Sequence, residues 1–377
     1  MMIGRLPWSA VVALTLVALT SGMALCAPML QQIAQPGPTE LVIYSDFAQA
    51  VVRQQSAVRL SQGANTVGFQ WATDSLDAAS IRLQGDQGLT IGEVTQPAGQ
   101  AKTYQWSVTA PRDGVYPLTT SFMLSGLKWV ADYRLATNAD RPSALLSGCV
   151  TITNGTGMDL RNMKASLILG RPGASADGME QAAYPLPELR DLPKGASLRL
   201  MFLRPMELPV WTIHRIDGEA APEKVARLLE VQPPSEGALA RTALPSGALT
   251  VLSPRGIVRA TLTYEPGKAF EVAMGDERDI VVKRRLMERE KTGIEFDRVG
   301  AVSGFDTIER YSVELRSHLD EALEVELQEV VLKTWEIDTA AEYELEDGRA
   351  RIPLALPAQG ECALEFTLTK HSGTRIP

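Results

Sequence analysis

This sequence predicts an all-β protein, built as two antiparallel β-sandwich-like domains with a Pro-rich irregular connection and one short helix. Three observations carry the prediction. Apolar residues alternate with period two in run after run, as in Trp129, Ala131, Tyr133 and Leu135, or in Val150 and Ile152 against Thr151 and Thr153. That period places one face of a sheet against a core. Turn-forming residues separate the runs, among them Asp140 to Pro142 and the pair Asn154 and Gly155, which tolerates the positive φ of a tight reversal. A helical pattern is credible in only one stretch, Pro222 to Leu229.

Composition bounds the rest. At 377 residues the chain is long enough for two or three cores. An apolar fraction of 45% with 22% charged residues is that of a folded protein. Lys and Arg number 37 against 45 Asp and Glu. Nucleic acid is therefore not an expected partner, since binding it needs a basic face that displaces counterions from phosphate.

In chain order, residues 1–26 read as a secretory signal peptide. Arg5 supplies the short positive region, Leu6 to Ala27 carries no charge, and Ala24, Cys26 and Ala27 follow the most apolar part. The expected cut lies after Cys26, with an uncleaved amino-terminal anchor as the alternative. Cleavage leaves 37 − 1 = 36 basic residues against 45 acidic ones, an acidic exported chain without a transmembrane span. Of the three cysteines only Cys149 and Cys362 survive it. Their strand phases differ, which favours two separate thiols over a bridge.

Residues 27–39, with Pro28, Pro36 and Pro38, read as a tether. An amino-terminal β domain is expected over 40–98, where Val58 and Leu60 alternate, Gly63 to Asn65 reverses the chain, and Val67 and Phe69 return. The carboxy-terminal β-rich domain spans 99–373. Within it residues 171–243 read as an irregular insertion, because Pro172, Pro185, Pro187, Pro193, Pro205 and Pro209 each remove a backbone donor. Strands resume at Leu244. Val258 to Tyr264, Tyr311 to Leu315, Leu323 to Leu327, Trp335 with Ile337, and Ile352 to Leu356 form a succession suited to a sandwich.

The order of motifs resembles the mucoidy-inhibitor-A-like family of exported bacterial proteins, whose two regions are domains of unknown function. The carboxy-terminal region carries the stronger match: Trp129 and Tyr133 in LKWVADYRL, the turn ITNGTGMDL, the strand ASLIL, then Leu244 to Gly247 and Met274, Gly275 and Ile280. The amino-terminal region matches more loosely, through Tyr44, Arg53, Gly63 and Asp77 among others. Many members carry a long coiled-coil insertion between the regions, whereas Pro97 to Tyr116 is short and strand-like here. The resemblance supplies no catalytic residues.

Candidate chemistry is sparse. Ser125 to Lys128 with Lys291 to Gly293 copies two penicillin-recognising motifs, but the period-two context sends Ser125 and Lys128 to opposite faces of a strand. His214, His318 and His371 are scattered, without a second ligand nearby in sequence, so no metal and no cofactor is expected. Lys283, Arg284 and Arg285, with Arg289 and Lys291, form the one basic concentration. It reads either as a contact for an anionic partner or as the charged edge of a sheet. An acidic run from Glu324 to Asp347 alternates with Val325, Leu327, Tyr343 and Leu345, as a solvated face does. Trp129 and Tyr133 read as core residues more readily than as a sugar platform.

The expectation is thus a non-enzymatic structural or protein-interaction module of the bacterial cell envelope, periplasmic or extracellular, whose partner is an envelope protein or polymer. The alternatives are a carbohydrate or envelope-polymer binding protein and, last, a hydrolase.

Overall fold

The computed structural model describes residues 30–33, 39–45, 48–86, 88–138, 141–169, 183–186 and 189–376, and the expected signal peptide lies outside them. In chain order the first strands are β1 (Leu30–Gln32), β2 (Thr39–Tyr44), β3 (Gln49–Leu60), β4 (Gly63–Gln70), β5 (Leu76–Gly85), β6 (Thr90–Thr95), β7 (Thr103–Ala110) and β8 (Gly114–Ser125). Then come β9 (Leu127–Thr137), β10 (Ser143–Asn154), β11 (Leu160–Ile168), β12 (Ala183–Pro185), β13 (Leu189–Leu192), β14 (Ser197–Asp217) and β15 (Ala221–Val231). A four-residue helix, α1 (Ala238–Arg241), precedes β16 (Leu244–Ser253), β17 (Gly256–Tyr264), β18 (Phe270–Asp276), β19 (Ile280–Phe296) and β20 (Val302–Ser317). The chain closes with β21 (Leu323–Val330), β22 (Trp335–Thr339), β23 (Glu344–Glu346), β24 (Arg349–Leu356) and β25 (Glu361–Gly373). The all-β, mostly antiparallel, sandwich-like class is as expected.

Among the described residues two compact units result: those within 30–33, 54–72 and 81–121 form one, and those within 39–53, 73–80 and 122–376 the other. β3, β5 and β8 each contribute residues to both units.

The first unit contains a sheet in the order β1, β4, β7, β6. Part of the stretch expected to be a tether is therefore a strand: β1 lies parallel to β4, with Leu30 opposite Thr66 and Gln32 opposite Gly68. Its core is aromatic. Trp71 meets Tyr104 edge-on at 5.2 Å between ring centroids, and Tyr104 meets Trp106 the same way at 6.0 Å. Such pairs add to the stabilisation from apolar burial.

In the second unit β9 and β10 bury the faces that the alternation predicts, and they pair with each other. Trp129 lies opposite Ile152, Ala131 opposite Val150 and Leu135 opposite Leu146, all buried. Tyr133, opposite Gly148, donates its hydroxyl to the Pro245 carbonyl at 2.6 Å, and Trp129 Nε1 donates to the Ile43 carbonyl at 3.2 Å. Both aromatics are core residues with their polar atoms satisfied. Asn154 does not adopt the expected positive φ; Gly157 does, at 77°. Asn154 is instead fully buried, accepting from the Thr156 N–H at 3.0 Å and donating to the Met158 and Leu192 carbonyls at 2.9 Å each. Cys149 and Cys362 are free thiols.

The stretch expected as an irregular insertion contains two of the longer strands. β14 runs for 21 residues and pairs antiparallel with β10 as far as Pro209. Pro205 falls where the register slips, between Leu203 opposite Gly148 and Met206 opposite Leu146. A bulge there needs no ladder donor, which is how a proline survives inside a strand. From Val210 onward β14 takes β15 as an antiparallel partner and β21 as a parallel one. The expected helix at Pro222 to Leu229 is β15 itself, held between β14 and β18. Its ladder outweighs a three-turn helical pattern that is marginal alone. The irregular insertion expected over 171–243 accordingly includes a core strand.

The sandwich closes when the sheet edge containing β14, β15, β21 and β24 faces the sheet ordered β19, β20, β25, β22. Ile216, Val225, Val325, Leu327 and Ile352 face Val282, Val313, Leu315, Leu364 and Phe366. Each fully buried aliphatic or aromatic side chain contributes roughly 1.5–3 kcal/mol. Glu329 shares the phase of Val325 and Leu327, so this member of the acidic run is buried, not solvated.

Candidate binding cleft

The change of partners along β14 creates the candidate site. Beyond Pro209, Val210, Thr212, His214 and Ile216 share one face, and their cross-strand neighbours include Val231, Leu229 and Arg227. Ile216 and Val225 reach the core, while Thr212, His214, Leu229 and Arg227 line an open cleft of about 640 Å³. Its rim is supplied by turns: Arg141 and Pro142 before β10, Pro254 and Arg255 between β16 and β17, and Leu319 and Glu321 after β20. Trp211, 50% exposed, also lines it. The volume lies in the range typical of small-ligand sites.

Glu277 organises the charge. Its backbone N–H donates to the Val225 carbonyl at 2.8 Å, anchoring it beside β15. Its side chain is 8% exposed, and Oε2 accepts from Arg255 Nη1 at 3.2 Å and from Arg227 Nη1 at 3.3 Å. Arg227 is steadied further by donating to the Met274 carbonyl at 3.3 Å. His214 Nε2 lies 3.9 Å from the same carboxylate oxygen. Burial pushes the His214 pKa down; Glu277 pulls it up, while Arg227 and Arg255 add to the lowering. The imidazole is thus neutral at neutral pH, and two guanidinium groups share one carboxylate, leaving a net positive charge. Of the two, Arg255 is the accessible one, with 62% of its side chain exposed against 19% for Arg227.

The basic trio singled out in the sequence is not one surface. Strand phase points Arg284 inward, where it donates from Nε and Nη2 to Glu329 at 2.9 and 3.0 Å and covers the Tyr311 ring at 3.9 Å. Lys283 is exposed but sits opposite Glu314, and Arg285 is exposed opposite Ser312. Arg289 is paired with Glu309. The first of the penicillin-recognising motifs does not lie on one strand: Ser125 ends β8 and Lys128 lies in β9, with Gly126 at φ 92° between them. Among the described residues no group of three or more His, Cys, Asp or Glu side chains is placed to hold a metal ion, and no helix is long and apolar enough to cross a membrane.

Sequence reading named His214 only as one of three scattered histidines and missed Arg227, Arg255 and Glu277, because the four come from separate strands and turns. The available signal was weak. His214 and Arg227 are polar residues at positions where the strand period calls for apolar ones. Comparison with protein-family models and with curated proteins yields no match for the chain.

Proposed function

We propose that this protein is an exported, non-enzymatic binding module of the bacterial cell envelope whose cleft takes a segment of an acidic saccharide polymer. The observation that carries the reading is the convergence of Arg227 and Arg255 on a single Glu277 oxygen beside the half-exposed Trp211. A guanidinium whose fork is only partly occupied suits a carboxylate or other oxyanion. An indole face suits the apolar face of a sugar ring. The same features favour polymer binding over a purely protein-interacting role. The non-enzymatic part rests on His214 meeting Glu277 rather than a hydroxyl. Relationship to the mucoidy-inhibitor-A-like proteins belongs to the same proposal and rests on the strand motifs.

The test is calorimetric titration with oligogalacturonate, a uronic-acid oligomer, against a neutral maltooligosaccharide, after a screen on an array of acidic and neutral glycans. Acidic glycans should bind, and Trp211→Ala and Arg255→Ala should each weaken binding roughly tenfold or more without unfolding the protein. Retention of no acidic glycan, binding by both variants as tight as that of the wild-type chain, or turnover of the bound oligomer would overturn the reading.

A further inference from the structure

The far end of the β19–β20 hairpin exposes apolar side chains on a tightly hydrogen-bonded turn. Phe296 closes β19 and Val302 opens β20, directly opposite each other, and they are 64% and 55% exposed. Between them Val299 stands at the turn with 88% exposure, the highest among the large apolar residues described. The turn is braced from within. Asp297 Oδ1 accepts from the Val299 and Ala301 N–H groups at 2.9 Å each. The Asp297 N–H donates to the Ala301 carbonyl at 2.8 Å, and the Gly300 N–H to the Asp297 carbonyl at 3.1 Å.

From this geometry we infer that the hairpin end is a lipid-docking element, inserting Phe296, Val299 and Val302 into the interfacial region of a phospholipid surface. Three features select that occupant. Backbone donors entering a medium poor in water must be satisfied internally, and four of those at this turn are. The apolar area offered by three side chains is on the order of 300 Å², well short of the roughly 800 Å² per partner of a stable protein interface. Insertion into lipid needs no shape-complementary partner.

Charge supplies the third. Glu295 accepts from Thr374 Oγ1 at 2.6 Å and lies 3.7 Å from Arg375, and Asp297 is engaged by the turn. Arg298 remains as an exposed cation beside Val299, suited to a phosphate head group. Docking of this kind is shallow, with the apolar side chains below the head groups and Arg298 among them.

Vesicle flotation of the full chain tests the inference, using vesicles of phosphatidylcholine alone and of phosphatidylcholine mixed with phosphatidylglycerol. The wild-type chain should float with both and better with the mixture. Phe296→Ser combined with Val299→Asp should cut the bound fraction roughly tenfold. Val299→Leu should retain binding, and Arg298→Glu should remove the preference for phosphatidylglycerol. All four chains share one amino terminus, so differences between them report on the hairpin end. These sites are exposed, and an unchanged circular-dichroism melt confirms that the variants fold. Equal flotation of the double variant, no flotation of the wild-type chain, or cross-linking of position 299 to a protein instead of to lipid would each overturn it.

Discussion

Replacing Arg284 by alanine separates a buried structural ion pair from a surface contact, and the structure sets the size of the effect. The Glu329 side chain is 4% exposed and Arg284 is 14% exposed, with both guanidinium contacts at or within 3.0 Å. Gly218 makes the arrangement feasible, because a Cβ at that position would overlap the Glu329 carboxylate. Removing the arginine leaves a carboxylate between two sheets without its counter-charge, which costs about 3–5 kcal/mol. At about 2–4 °C per kcal/mol for a unit of this size, the melting midpoint should fall by roughly 6–20 °C.

The pH dependence fixes the cause. Burial pushes the Glu329 carboxyl upward, and the Arg284 guanidinium opposes it. Without Arg284 the folded pKa rises further above the unfolded value of about 4.3. The folded state then holds a proton that the unfolded state has released, so stability falls as pH rises through that window. The deficit should be full above the raised pKa and shrink toward pH 4.5. Calorimetric melts of Arg284→Ala at pH 7.5 and pH 5 measure it, and Arg284→Met with Glu329→Leu should recover most of the loss. A deficit below about 1 kcal/mol at pH 7.5, or one identical at both pH values, refutes the reasoning.

Two further predictions concern other strands of the second unit. Glu309, 2% exposed, is pushed up by burial but pulled further down, to about 2, by hydrogen bonds from Lys370, Tyr311 and Arg289. Its folded pKa is therefore depressed, so its contribution is complete above the unfolded value of about 4.3 and is lost as pH falls toward 2. Glu309→Gln should flatten the acid limb of a stability profile measured by urea titration, and an unaltered limb would count against the network. Gly247→Ala should cost about 1–3 kcal/mol, because the new Cβ would overlap the Ala131 carbonyl oxygen of the neighbouring parallel strand and also press on the Tyr133 ring. A melt indistinguishable from wild type would show that β16 can slide away from β9 without loss.

The β9–β10 pair was legible because each face is chemically uniform: Trp129, Ala131, Tyr133 and Leu135 are dry, and their alternates are mostly polar. Phase also held information about charged residues. Arg284 has the parity of Ile280 and Val282, and Glu329 that of Val325 and Leu327, so strand periodicity alone points both into the core. Reading the basic run as composition, and placing Glu329 on the solvated face with Glu324 and Glu326 although its parity differs from theirs, concealed that pair. The β1 strand carried no comparable signal, since three residues, Leu30 to Gln32, are too few to show a period.

β14 and β15 were illegible for a reason that bears on function. Along β15 the face that holds Val225, Leu229 and Val231 also holds Arg227, and along β14 the face of Val210 and Ile216 holds Thr212 and His214. An uninterrupted core strand would carry apolar residues at those positions. The polar substitutions broke the period, and the spacing that survived, Val225 to Leu228 and Leu229, imitated a helix. Arg227 and His214 nevertheless have partners, since both approach Glu277 within 4 Å. A buried polar group that departs from the local pattern and is still satisfied is the mark of a site under a constraint other than stability. The failure of the strand pattern and the location of the cleft therefore have one cause: this end of the sandwich keeps charge where packing alone would put valine or leucine.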